Sequence, residues 1–102
     1  MAPVRDKLLR VDLSAGVVRS ERVPDGLRER YVGGKGLGAR YLYEELPPGI
    51  DALSADNLLI FGLGPLSGLL PGETRYAAVT KSPLTGTFLD SCAGGTFPER
   101  LA

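Results

Sequence analysis

Asn57-Leu58-Leu59-Ile60-Phe61-Gly62-Leu63 runs into Gly64-Pro65-Leu66-Ser67-Gly68, and eighteen residues further on Arg75-Tyr76-Ala77-Ala78-Val79-Thr80-Lys81 runs into Ser82-Pro83-Leu84-Thr85-Gly86. Each apolar run reads as a strand, and each is closed by the same punctuation. Proline presets its own φ, the hydroxyl residue bonds nearby backbone, and glycine supplies positive φ where the chain must turn. The centre of the chain is therefore two strands, each ending in a rigid turn with exposed backbone N–H groups. Such a surface suits an approach by something flat or anionic. The match between the turns predicts that Ser67-Gly68 and Thr85-Gly86 lie on the same side of the sheet.

Outward from this centre the elements follow in order. Lys7 to Leu13 and Val17 to Val23 are two β-prone runs joined by the short turn Ser14-Ala15-Gly16, a β-hairpin signal. Pro24-Asp25-Gly26 breaks the second run, and Asp25 is placed to cap a short helix over 27–32. Leu37, Tyr41, Leu42 and Leu46 recur at helical spacing, which predicts a helix from near Gly36 that stops at Pro47-Pro48-Gly49. A third short strand is expected over 87–91, followed by a turn at Cys92-Ala93-Gly94-Gly95. Thr96 and Glu99 have capping-box spacing, and Pro98 suits a first helical turn. The reading is an α+β fold: a mixed or antiparallel sheet with two or three short helices packed on it.

At 102 residues the chain makes one domain at most. Twelve basic and twelve acidic residues cancel, so charge gives no argument for nucleic acid or an anionic membrane surface. No apolar stretch reaches the roughly 18 residues that suggest a bilayer span. Behind Met1 there is no signal-peptide core, so the default location is the cytoplasm. The chain has one cysteine, Cys92, and no histidine. One cysteine precludes an internal disulfide and a four-thiolate iron–sulfur cluster held by this chain alone. The lack of histidine removes Ser-His-Asp and Cys-His triads and the usual zinc sites.

Gly33-Gly34-Lys35-Gly36-Leu37-Gly38 invites a phosphate-loop reading and fails it. A Walker A loop needs Ser or Thr after its lysine, and Gly36 stands there; a dinucleotide fingerprint needs a preceding strand that Arg28 to Tyr31 does not supply. A nucleotide-binding domain is thus the least favoured of the functional classes. The plain reading is a helix entry that lets backbone pack closely. Arg75, read alone, is a solvated edge charge. Gly94-Gly95 before a capped helix is either an ordinary turn or a place where an anion meets free N–H groups. Cys92 reads as an inert, partly buried thiol, Asp51, Asp56 and Asp90 as solvated turn residues, and Glu44-Glu45 as a pair without an acid/base partner.

The run Gly64 to Gly68, then Thr74-Arg75-Tyr76, then Val79 to Gly86, then Gly94-Gly95, resembles the N-terminal domain of the aldehyde ferredoxin oxidoreductase family. The resemblance starts near Leu9 to Gly16, continues through Gly33 to Ala39, and covers nearly all of the chain but only the first part of a family member. Its members are tungsten, sometimes molybdenum, enzymes with a bis-pterin cofactor and a 4Fe-4S cluster.

The resemblance implies that residues 1–102 are an incomplete N-terminal pterin-binding domain. The full enzyme would oxidise aldehydes to carboxylic acids and pass electrons through the cluster to ferredoxin. It further implies that Arg75 contacts the pterin, where its planar donor fork suits phosphate or pterin oxygens, and that Gly94, with Gly95 beside it, lines the cofactor site. Cys92 departs from the family pattern, which has asparagine there, contributing to cofactor and bridging-magnesium contacts. A backbone carbonyl contact would survive the change; an amide contact would not. The chain alone would not be catalytic. Its partner would be the rest of the enzyme chain or a complementary subunit, with room for a homo-oligomer. The alternative is a stand-alone, non-catalytic binding or assembly module of the same fold. A sheet missing its partner surface, and a helix cut short at Ala102, lead us to expect only marginal stability and an exposed apolar face.

Overall fold

Asp12 closes the first hairpin: its carboxylate accepts from the N–H groups of Ser14 (3.0 Å) and Ala15 (3.1 Å), a local turn that fixes the strand register. The computed structural model describes residues 7–64 and 75–101. Strand β1 (Lys7–Asp12) pairs antiparallel with β2 (Val17–Arg22), with Lys7 opposite Arg22 and Asp12 opposite Val17. Helix α1 is Asp25–Tyr31, so Asp25 is its first residue and its carboxylate lies in the first turn, where the helix dipole favours it. Helix α2 (Gly34–Glu45) starts two residues before the expected Gly36.

Three further strands form a second sheet: β3 (Ile60–Leu63), β4 (Tyr76–Lys81) and β5 (Phe88–Ala93), in the order β3-β4-β5 and antiparallel throughout. A short helix α3 (Phe97–Leu101) follows, with the Arg100 N–H bonded to the Thr96 carbonyl at 3.1 Å. The architecture is the α+β fold expected, with both sheets antiparallel rather than mixed.

Helix α2 lies across one face of the three-stranded sheet, and the core sits between them. Val79 is fully buried, and Ala77, Leu42 and Val23 are close to it in burial. Gly38 lets the helix come down on the sheet: a Cβ there would meet Val79 at 3.1 Å and Ile60 at 3.6 Å. The approach is closer still at the helix entry. A Cβ on Gly33 would stand 2.5 Å from the Leu63 carbonyl oxygen, and one on Gly62 would fall inside 3.0 Å of the Gly34 backbone. The glycines of 33–38 thus do what the plain reading gave them, which is to let backbone meet backbone. The hairpin is fastened to α2 by Arg10, whose guanidinium takes the Glu45 carboxylate bidentately (2.6 and 2.9 Å) and Glu21 through Nε (2.9 Å). Those two carboxylates raise the Arg10 pKa further, Glu45 most of all. Glu44 pairs with Arg40 one helical turn away, so neither member of the Glu44-Glu45 pair is a lone charge.

One expectation falls outside the described residues and one is corrected. Ser67-Gly68, one half of the matched turns, is not among the described residues. The antiparallel pairing of β3 with β4 sets Leu63 opposite Tyr76 and Ile60 opposite Val79, so Ser82 to Gly86 lies at the end of the sheet away from the end of β3. The correction concerns Cys92. Strand β5 continues to Ala93, with Cys92 opposite Ala77, so Cys92 is a strand residue and the turn begins at Gly94.

Candidate functional site

The end of the three-stranded sheet where β3 stops and β4 starts is the candidate site. Extending the β4–β5 register by one step from Tyr76 opposite Ala93 sets Arg75 opposite Gly94. Arg75 is exposed, as are Gly94 and Gly95, and the Cys92 thiol is exposed rather than partly buried as its sequence suggested. Gly95 has φ +105°, a conformation L side chains rarely adopt, and a Cβ on it would meet nothing within 4 Å. The backbone at this bend is therefore open. Three of the four residues singled out in the sequence, Arg75, Gly94 and Gly95, come together at one rim. Cys92 is one strand step inside it.

Side-chain alternation tells which face each residue serves. Val79 and Ala77 face α2, and the residues opposite them on β5 are Asp90 and Cys92. Continuing the alternation of β4, Arg75 falls on that same side. The other face of the sheet carries Phe61 and Tyr76, and Phe97 of α3 packs on both. The three rings meet edge to face, with centroids 5.8 Å (Phe61–Tyr76), 5.6 Å (Phe61–Phe97) and 4.9 Å (Tyr76–Phe97). This contact, with Pro98 buried beside it, pins α3 to the sheet and so fixes the Gly94-Gly95 bend between β5 and α3. Composition did not single out Phe97 for this role; its place just after Thr96, at a capped helix start, was the only signal.

The sequence also missed Lys35. Its ammonium stands 3.7 Å from the Asp90 carboxylate, linking the first turn of α2 to β5. Asp90 is therefore not a plain turn residue. The partners are fifty-five positions apart, a pairing that local pattern does not reveal. One clue was available: a lysine in the first turn of a helix opposes the dipole.

Electrostatically the rim is simple. Among the described residues no carboxylate is within ion-pair distance of Arg75, whereas Arg10, Arg22, Lys35 and Arg40 each have one. The rim thus offers an exposed, unneutralised guanidinium beside an open glycine bend, which is the chemistry of an anion-accepting surface. With a single cysteine in the whole chain, four-thiolate ligation of a cluster is beyond it.

An α+β domain of two antiparallel sheets, with an exposed arginine and an open glycine bend at one end of the larger sheet, is the class these features define. The family model for the aldehyde ferredoxin oxidoreductase N-terminal domain matches residues 8–102. The chain belongs to that family, and its match lies in the family's N-terminal domain. It is 41% identical over 96 residues to a tungsten-containing aldehyde ferredoxin oxidoreductase of Pyrococcus horikoshii, covering 93% of this chain and 16% of that protein. It is 36% identical over 95 residues to the WOR-like subunit of an aliphatic sulfonate oxidoreductase of Pyrococcus furiosus, covering 86% of this chain and 15% of that subunit. Among solved structures, a chain of the active-site complex BamBC of benzoyl coenzyme A reductase, in complex with 1,5-dienoyl-CoA, superposes with a TM-score of 0.89 at 34% identity, over 94% of this chain and 15% of that one. The chain thus spans about a sixth of the length of the relatives it matches. Among the described residues no helix is long and apolar enough to cross a membrane.

Proposed function

We propose that this chain is the pterin-facing part of a tungsten, or molybdenum, bis-pterin oxidoreductase, and that the full enzyme oxidises an aldehyde to a carboxylic acid with ferredoxin as electron acceptor. The observation that carries the reading is Arg75: an exposed guanidinium with no carboxylate partner among the described residues, one position beyond the Tyr76–Ala93 pair, as Gly94 is. The residues present fit an anionic, phosphate-bearing pterin. Arg75 would supply the planar donor fork, and Gly94 and Gly95 would let the ligand approach the backbone. Cys92 would contribute its backbone carbonyl, the one contact that survives asparagine-to-cysteine replacement, toward the pterin or a bridging magnesium.

When bound, the metal–pterin group supplies the two-electron redox chemistry. This chain's part is to bind and orient it: the aromatic contact of Phe61, Tyr76 and Phe97 holds the bend in place, and Arg75 holds the anion. The rest of the enzyme, or a complementary subunit, would bring the 4Fe-4S cluster ligands, the remaining pterin contacts and the substrate pocket. The substrate reading rests on the aldehyde ferredoxin oxidoreductases among the relatives; the sulfonate and benzoyl coenzyme A relatives act on other substrates with a similar N-terminal domain. A shared base under different pockets explains this, because fold does not fix substrate.

The test is Arg75→Ala in the full-length enzyme. Pterin and tungsten per chain should fall roughly tenfold or more, the size of losing a charge-assisted hydrogen bond, with folding unchanged by circular dichroism. Arg75→Lys should recover only part of the loss, because an ammonium cannot reproduce the fork. Full loading and unchanged turnover in Arg75→Ala would return Arg75 to a solvated edge charge.

A further inference from the structure

Asp90 raises a question that the proposed function leaves open. It sits on β5 two residues before Cys92, on the same face of the strand. Two strand residues span about 6.6 Å. An uncompensated carboxylate at that distance would repel an anion arriving at the Cys92–Gly95 segment, and more strongly at low ionic strength. Lys35 answers it. The lysine occupies the first turn of α2, a position the helix dipole disfavours for a cation, and its ammonium lies 3.7 Å from the Asp90 carboxylate. Both side chains keep solvent contact, 65% exposed for Lys35 and 34% for Asp90, so the pair adds little to stability. A local rule is broken at a point where stability gains little, which directs attention to charge rather than packing.

Resting on the pterin reading above, we propose that Lys35 is a positioning residue for the cofactor: it neutralises Asp90, so that the carboxylate does not offset the charge of Arg75 toward the arriving anion. Lys35 acts through Asp90 and need not touch the ligand. The pair also ties the helix entry, where Gly34 meets Gly62, to the edge strand that carries the bend.

The test uses the full-length enzyme and measures pterin and tungsten retained per chain after dialysis at low and at high ionic strength. Lys35→Met should lower retention at low ionic strength roughly fivefold, the upper range for an exposed ion pair, and the deficit should close at high ionic strength as the carboxylate is screened. Lys35→Met combined with Asp90→Asn should recover retention, Lys35→Arg should keep it, and Asp90→Asn alone should not lower it. If the double variant is as poor as Lys35→Met, Lys35 binds the ligand directly and the neutralisation mechanism falls. If Lys35→Met retains cofactor like the unsubstituted enzyme at low ionic strength, the proposal falls outright. Arg75→Ala in the same dialysis separates the two readings. Loss there with normal Lys35→Met overturns only this inference, whereas full retention there overturns the pterin reading beneath it.

Discussion

The two ends of the three-stranded sheet are built to opposite effect. At the β4–β5 end the turn satisfies itself. Ser82 is almost wholly buried, its hydroxyl accepts from the N–H groups of Leu84 (3.1 Å) and Thr85 (3.3 Å), and its backbone exchanges bonds with Thr87 and Gly86. Beside it, Asn57 donates to the Ala52 and Lys81 carbonyls and Thr80 donates to Leu58. At the other end, Arg75 and the Gly94-Gly95 bend face outward, and a backbone-to-backbone contact at Gly33, Gly34 and Gly62 replaces side-chain packing. One end has used its hydrogen-bonding capacity internally, and the other has kept it. A closed turn adds stability, whereas an open rim is available to a ligand.

The sharpest way to break the open end is to deny it the close approach. Gly62→Ala puts a methyl group against the Gly34 backbone, and backbone cannot swing aside as a side-chain tip can. We expect a loss of about 2–3 kcal/mol, the upper range for overpacking, read as a large fall in the urea midpoint of the chain. An unchanged midpoint would mean that α2 can lift off β3 freely, and that the rim is not held by this contact. At the closed end Ser82→Ala should cost less, about 1 kcal/mol. The turn around it is exposed, and water can replace the lost acceptor at Leu84 and Thr85. The contrast predicts that Ser82→Ala leaves pterin retention in the full enzyme untouched. A retention loss as large as that of Arg75→Ala would show that the two ends are not independent.

What was legible in the sequence follows the range of the forces. The hairpin, the α2 periodicity, the β4 strand and the helix start after Thr96 are set by residues within a few positions of each other, and all are found. The glycine run at 33–38 read correctly as a packing device because the phosphate-loop spacing is broken at Gly36. The echo says little about strand direction, because turn chemistry is local: nothing in Gly-Pro-Leu-Ser-Gly records which strand will pair with which. The extra β5 residues, Cys92 and Ala93, were read as turn because Gly94-Gly95 punctuates so strongly, yet the β4 ladder carries them. Long-range ion pairs were invisible. Arg10 reaches Glu45 across thirty-five positions, and Lys35 reaches Asp90 across more. Arg75 itself looked like any exposed arginine, and its meaning came from resemblance and from the register that sets it opposite Gly94.

The smallest expected effect belongs to neither end of the sheet, and it serves as a control. Tyr41 sits half-buried on α2 beside the clamp of Arg10, Glu21 and Glu45. Burial raises its phenol pKa above the ordinary value near 10, the Glu21 charge adds to the rise, and Arg10 opposes it. The fold therefore favours the neutral phenol. That contribution is whole below the ordinary pKa and is lost as pH rises through the raised one. With much of the ring in solvent, it amounts to no more than on the order of a few tenths of a kcal/mol. An alkaline titration followed by tyrosinate absorbance should contain a late component that Tyr41→Phe removes. Tyr41→Phe should also flatten the fall of the urea midpoint above the ordinary tyrosine pKa while leaving pterin retention unchanged. If Tyr41→Phe leaves the titration curve's late part unaltered, Tyr41 is not held beside the clamp as described. The Arg10 clamp would then be the first contact to question, with the sheet and its two ends left as they stand.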